Sequence, residues 1–413
     1  MTTNSLTIEQ AIQYGLACVK EQAAHLDAVS FYHTERILNA FRTHRVSDTH
    51  FRATSGYAYS DTGRDALELI FADLWGAEKA LVRTQFVSGT HALTAALFGV
   101  LRPGDELLSV TGAPYDTMQT VIGHSVKQSG SLAEYGVTYH EVALTAEGEV
   151  DEQAVLNALT PKTRVALIQR SRGYSNRNTI PVARIGELCA LIKAHAPRCI
   201  TFVDNCYGEF VERQEPTEVG ADLMAGSLIK NAGGGLAPTG GYVVGKAELV
   251  DQAAFRLTAP GLGGELGATL GDSARMLYQG LFLAPHVVNQ AVRSAIFAAG
   301  VFSSLGYAAA PLATEERRDI IQSVTFGSPE KVIAFCQALQ QWSPVDAFAI
   351  PVPWDMPGYE DQVIMAAGTF VQGASIELSA DAPIRPPYTV YLQGGLTFEH
   401  SRLALEQAAK AIL

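Results

Sequence analysis

Three short stretches of this chain hold residue types that do chemistry together. In "DLMAGSLIKNAGGGLAPTGG" (222–241) a single lysine, Lys230, sits between a short apolar segment and a run of glycines. Lysine is a strongly hydrated cation. At a junction between strand and loop, a desolvated amine beside a flexible glycine segment is suited to attack a carbonyl carbon. "CITFVDNC" ends an apolar run on an acid, Asp204. "VSGTHA" sets Ser88, Gly89 and Thr90 at the start of a helical pattern, where Gly89 lets the backbone approach a ligand and free amides favour an anion. Taken singly, each has a plain alternative: a surface lysine on a turn, a strand-end turn residue, a helix cap.

The three stretches form one site only if the chain between them brings their ends together. From Asp61 a helix is expected over "DTGRDALELIFADLWGAE", with Asp61 as its cap and Ala66, Leu69, Ile70 and Leu74 on one face. A regular alternation follows. "KALVRTQF", "ELLSV", "VTYHEVAL", "RVALIQR", "CITFVDNC" and "GYVVG" read as strands, and "SGTHALTAALFGVL", "EQAVLNAL" and "ARIGELCALIKAH" as helices. Strands that are short continuous apolar runs, alternating with helices, predict a mostly parallel sheet covered on both faces. Ligands of such sheets bind at the carboxyl ends of the strands, where Gly89, Asp204, Ser227 and Lys230 all fall.

An anion cradle, a carboxylate and a lysine on successive strand ends are what pyridoxal phosphate requires. It needs a phosphate site, an acid to keep its pyridine nitrogen protonated, and an amine for a Schiff base. The 26 residues from Asp204 to Lys230 leave room for one crossover and one more strand. A dinucleotide reading competes poorly, because "GLGGELG" (261–267) departs from the GxGxxG spacing and follows no early strand.

The remaining chain sets the frame. Residues 1–55 read as a helical segment, 56–285 as a large cofactor-binding domain, and 286–413 as an α+β domain with strand-like runs "QVIMAAGTF" and "SIELSA" and a closing helix from Glu399. Ser294 to Thr314 carries no charge and is long enough to cross a bilayer, but its serines, glycines, proline and alanines favour a buried helix from about Val287 to Ser304. With 47% hydrophobic and 17% charged residues, the chain is expected to be a compact soluble protein. A net charge of −12 argues against nucleic acid and anionic membranes as partners. Five cysteines without a CxxC pair, and no signal-peptide pattern, point to the cytoplasm. Ten scattered histidines without HExxH give no metal site.

Taken in order, the motifs resemble those of fold-type I pyridoxal-phosphate enzymes of the cystathionine and methionine lyase group. More narrowly, they resemble the methionine γ-lyase-like family often labelled aluminium resistance protein. The stretches that carry this are "SGYAYSDTGRDALE", "RTQFVSGTHAL", "TGAPYDTM", "QRSRGYS", "FVDNCYGEF", "GSLIKNAGGGLAPTGGY", "LGATLGDSARMLYQGLFLAPHVV" and "QGGLTFEH", which span about residues 42–400. The resemblance implies that Lys230 is the Schiff-base lysine and Asp204 the partner of the pyridinium nitrogen. It makes Ser88, Gly89, Thr90 and Ser227 the phosphate cradle, and Tyr115 the aromatic residue stacked on the cofactor and a candidate acid or base. Tyr57 and Tyr59 lie where relatives reach across a dimer interface to the neighbouring phosphate. The arginine that accompanies them there is displaced here to Arg64.

A substrate carboxylate needs a fixed guanidinium. Arg385 in "PIRPPY" is the first candidate and Arg172 in "SRGYSNR" the second, and the Asn-Pro motif of relatives near Arg172 is missing. His91, on the first turn after the phosphate loop, is expected to take a supporting or core role, and Cys199 and Cys206 to pack. The implied reaction is β- or γ-elimination on a sulfur-containing amino acid, giving a 2-oxo acid, ammonia and a thiol, in a homodimer or homotetramer. Two other readings stay open: another pyridoxal-phosphate reaction on the same fold, such as transamination or aldol cleavage, and a non-catalytic protein that merely binds the cofactor.

Overall fold

The structure is a computed structural model and describes residues 6–57, 61–124, 128–175, 177–356 and 361–413. Tyr59 lies outside them. By their internal contacts the residues fall into two units, Thr34–Phe282 and Met1–His33 with Leu283–Leu413.

The larger unit is built on seven strands: β1 (Lys79–Arg83), β2 (Glu106–Ser109), β3 (Thr138–Glu141), β4 (Thr163–Gln169), β5 (Ile200–Asp204), β6 (Leu223–Ser227) and β7 (Gly241–Gly245). Their order across the sheet is β1-β7-β6-β5-β4-β2-β3, and β7 alone runs against its neighbours. Strands β5, β6 and β7 are buried along their whole length and β4 at every position but Arg164, so the apolar runs of the sequence reflect two covered faces. One core layer packs Leu93, Leu97, Leu107, Phe202 and Val243, and a second packs Leu108, Ile168, Ile185, Leu188 and Val203.

Helix α1 (Ile8–Thr43) begins in the smaller unit, so the first 33 residues group with the C-terminal part of the chain. In the larger unit follow α2 (Thr62–Leu74), α3 (Gly89–Val100), α4 (Asp116–Ile122), α5 (Glu152–Ala158), α6 (Val182–His195) and α7 (Ala247–Leu257). Asp61 caps α2 by accepting from the Arg64 amide at 3.0 Å. The expected face of α2 needs one correction. Ala66, Ile70 and Leu74 are buried at i, i+4 spacing, but Leu69 is exposed, and Leu67 and Phe71 fill the core instead.

Helix α8 (Ser273–Ser304) continues through Pro285 and leads into the smaller unit. There β8 (Ala308–Ala310), β9 (Ile321–Thr325), β10 (Val363–Ala366), β11 (Ser379–Pro383) and β12 (Thr389–Gln393) form an antiparallel sheet in the order β10-β11-β12-β9-β8, flanked by α9 (Pro329–Gln341) and α10 (Phe398–Ala411). The run "SIELSA" is a strand only at its end, because Glu377 turns back to take the amides of Phe370 and Val371 at 2.9 Å. Among the described residues no helix is long and apolar enough to cross a membrane.

Candidate active site

Three elements of the larger unit converge on one small volume. Strand β5 delivers Asp204 at its last position, in register with Gln169 of β4 on one side and Ala225 of β6 on the other. Strand β6 ends on Ser227, and three residues later comes Lys230. Helix α3 starts at Gly89, capped by Ser88, whose hydroxyl accepts from the His91 amide at 3.1 Å. The first amides of α3, those of Gly89 and Thr90, therefore have no acceptor within their own helix and carry the positive end of its dipole.

These parts touch. A Cβ added at Gly89 would stand 2.9 Å from the Ser227 Cβ and 3.5 Å from the Cys206 sulfur, so any larger residue closes the space between helix and strand. Thr90 Oγ1 lies 3.0 Å from the Tyr115 hydroxyl. The Tyr115 amide in turn donates to Gln169 Oε1 at 2.9 Å, which ties the tyrosine to the β4 end. Lys230 Nζ stands 3.9 Å from the centroid of the Tyr207 ring. After the lysine, Gly234 and Gly235 take φ of +54° and +75°, so the glycine run meets the demands of a tight turn.

The charges are coupled. Burial pushes the Asp204 carboxyl up, opposed chiefly by Lys230 and by the Cys206 amide, which donates to Asp204 Oδ1 at 3.1 Å. Burial disfavours the Lys230 cation, yet the facing Cys206, Tyr207, Asp204 and Tyr115 hold its pKa above the ordinary value. Burial, aided by Asp204, also raises the Tyr115 phenol, and burial raises the Cys206 thiol. Both of those shifts favour the neutral forms, and Asp204 is the carboxyl among the groups that face the lysine. These residues fit pyridoxal phosphate: an amide-lined notch that a Cβ would fill, a buried acid that a protonated ring nitrogen would satisfy, and an amine facing that acid.

The other sequence candidates are placed differently. Tyr57 is 67% exposed and forms an isolated bridge with Leu266. Arg64 is buried and reaches the Gly56 and Gly267 carbonyls at 3.5 Å and Asp65 at 3.2 Å. Arg172 is buried on the loop after β4, where Ser175 caps its carbonyl. Arg385 belongs to the smaller unit, half exposed, and pairs with Asp361 at 3.0 Å. His91 lies on the first turn of α3, where its Nδ1 accepts the Val87 amide at 3.2 Å, and burial lowers its pKa. Cys199 packs in the core beside β5. Cys206 is buried as well, but at the site, with its amide on Asp204.

The model of the family described as Methionine gamma-lyase matches residues 8–413. The chain belongs to the methionine gamma-lyase family. An uncharacterized Bacillus subtilis protein, YnbB, is 54% identical over 389 residues, covering 94% of this chain and 92% of the relative. The crystal structure of a carbon-sulfur lyase involved in aluminum resistance from Clostridium novyi is 45% identical, with a TM-score of 0.94 over 98% of this chain and 96% of that one. L-methionine gamma-lyase from Pseudomonas putida is 31% identical over 229 residues, 55% of this chain and 52% of the relative. The methionine gamma-lyase family comprises pyridoxal-phosphate-dependent carbon–sulfur lyases, and the fold of this chain, a large mostly parallel sheet with a smaller antiparallel one, is theirs.

Sequence reasoning passed over Tyr207, Glu209 and Asn231, which crowd around the lysine. Their only signal was position, just beyond Asp204 and Lys230. Glu209 is fully buried, and burial pushes its carboxyl up to about 8, with the Tyr242 hydroxyl pulling the other way. A carboxyl raised in the fold stabilises fully below its unfolded value near 4.5, and that contribution is lost as pH rises through about 8. The melting temperature of the wild type is accordingly expected to fall, relative to that of Glu209→Gln, between those two pH values. Parallel melting curves across that range check this, and a constant difference would contradict it.

Proposed function

We propose that this protein is a pyridoxal-phosphate-dependent lyase that cleaves the carbon–sulfur bond of a sulfur-containing amino acid by β- or γ-elimination. The observation that carries the reading is the convergence of Lys230, Asp204 and the start of α3 on one volume, in a chain of the methionine gamma-lyase family. When bound, pyridoxal phosphate supplies the electron sink that stabilises negative charge on the substrate α-carbon.

In this reading the chain's own groups divide the work. Ser88, the Gly89 and Thr90 amides and the Ser227 hydroxyl bind the phosphate. Asp204 would face the ring nitrogen and favour its protonated form. Lys230 would be the amine that holds the cofactor and the base at the substrate α-carbon, its charge tuned by Asp204. Tyr115, held neutral, would stack on the ring and give a proton to the departing sulfur. Arg172 and Arg385 are the candidates for the substrate carboxylate. The outward Tyr57, together with Tyr59 and Arg64, is assigned to a homodimer interface that completes the phosphate site.

Purified protein incubated with the cofactor and a panel of sulfur amino acids should release a 2-oxo acid, ammonia and a thiol in equal amounts. Amine transfer to an added keto acid, or glycine release from β-hydroxy amino acids, would move the protein to another reaction of the same fold. The cradle has its own test. Gly89→Ala puts a methyl against Ser227, and overpacking of this kind costs about 1–3 kcal/mol. Pyridoxal phosphate binding is expected to weaken about 5- to 150-fold on that account, with the fold retained. Unchanged affinity would remove Gly89 from the phosphate site.

A further inference from the structure

Two buried oxygens near the lysine turn have no hydrogen-bond partner among the described residues: Oε2 of Glu209 and Oδ1 of Asn231, on side chains with no exposed surface. Buried polar atoms of this kind call for a reason, and the surrounding bonds give one. Glu209 sits in the turn that leaves β5, five residues beyond Asp204. Its Oε1 accepts the Tyr242 hydroxyl at 2.6 Å. Tyr242 stands on β7 directly across from Gly226 of β6, and a Cβ at Gly226 would collide with that hydroxyl. The missing side chain on the lysine strand is thus what lets Tyr242 reach Glu209.

The same turn grips the lysine from its other side. The carbonyls of Tyr207 and Glu209 both accept from Asn231 Nδ2, at 2.9 and 3.0 Å, and Asn231 is the residue after Lys230. Tyr207, whose ring lies against the amine, and Phe210 hold φ of +74° and +63°, which non-glycine residues keep only where the surroundings enforce it. Glu215 supplies part of that enforcement by accepting the Phe210 amide at 2.8 Å and the Asn205 side chain at 2.8 Å.

We propose that Glu209 is a positioning residue for Lys230. Its carboxyl fastens the 205–210 turn to β7 through Tyr242, and its carbonyl fastens that turn to Asn231, so the backbone that carries the lysine is fixed against the strand end that carries Asp204. Glu209 acts through the lysine and does not itself touch the cofactor. Tyr242, Glu215, Lys230 and Cys206 are the titratable groups that face it, and burial raises its carboxyl to about 8, which favours the neutral form at pH 7. This inference rests on the pyridoxal-phosphate reading above.

The test is a double-mutant cycle on the affinity of the apoprotein for pyridoxal phosphate at pH 7, with Glu209→Ala, Lys230→Ala and the pair. A residue acting through the lysine is non-additive with it. Glu209→Ala is expected to weaken binding about tenfold in the wild type and less than about twofold once Lys230 is gone. Glu209→Gln, which keeps an acceptor for Tyr242, restores the wild-type affinity at pH 7. Tyr242→Phe, which removes only the hydroxyl, shows the same non-additivity and decides the matter if Glu209→Ala does not fold. Equal losses in both backgrounds, or no loss in either, would overturn the inference while leaving the lyase reading intact. Failure of the wild type to bind the cofactor would overturn both.

Discussion

Lys230→Ala is expected to abolish covalent retention of pyridoxal phosphate and to lower carbon–sulfur bond cleavage by about 10²–10⁴-fold or more, the usual worth of a positioned acid–base group alone. The loss combines two roles of one amine. In the structure the charge of Lys230 is sustained by the groups that face it, Cys206, Tyr207, Asp204 and Tyr115, of which Asp204 is the carboxyl. A second amine cannot take over easily: the nearest lysine in sequence, Lys246, is half exposed and paired with Asp222 at 2.8 Å. Dialysis should strip the cofactor from the variant but not from the wild type. Activity within tenfold of wild type would mean that another base takes the α-proton.

Asp204→Asn is the second large effect, with a different signature. The amide oxygen can still accept the Cys206 amide, so the β5 end should hold its shape. What disappears is the charge. Removing one preorganised electrostatic partner of a reacting centre costs on the order of 10²–10³ in turnover. Because Lys230 is untouched, Asp204→Asn should still retain the cofactor covalently and show its visible absorption. It should also form the bond at lower pH than the wild type, since the charge that keeps the amine protonated has gone. Retention with lost turnover, against lost retention in Lys230→Ala, separates the two roles. A variant as active as the wild type would show that the ring nitrogen is not held by this acid.

Much of this arrangement was legible in the residues. The parallel sheet followed from apolar runs that matched buried strands, and strand ends then located Asp204, Ser227 and Lys230 together with the capped start of α3. Where periodicity alone was used, it erred by one position, as at Leu69, since a helix turns 100° per residue and the neighbouring Leu67 and Phe71 had equal claim to the core. The antiparallel sheet was harder to read: only the end of "SIELSA" is strand, because a buried acid, Glu377, folds the start into a turn. The pairing of the first helix with the C-terminal unit depends on contacts between distant segments, which no local pattern encodes. Glu209 and Tyr242 were invisible for a related reason. An acid in "YGEF" and a tyrosine in "GYVVG" look like a surface turn and a strand residue until Gly226 is seen to clear the path between them.

The central claim, that Lys230 is the amine that binds the cofactor, is tested most directly by reductive trapping. Purified protein is mixed with pyridoxal phosphate, its visible spectrum recorded, the complex reduced with borohydride, and the digest mapped by mass spectrometry. The account predicts a visible band that reduction bleaches and a pyridoxyl group on the peptide carrying Lys230. A band that never forms, or a label on any other lysine, would contradict it.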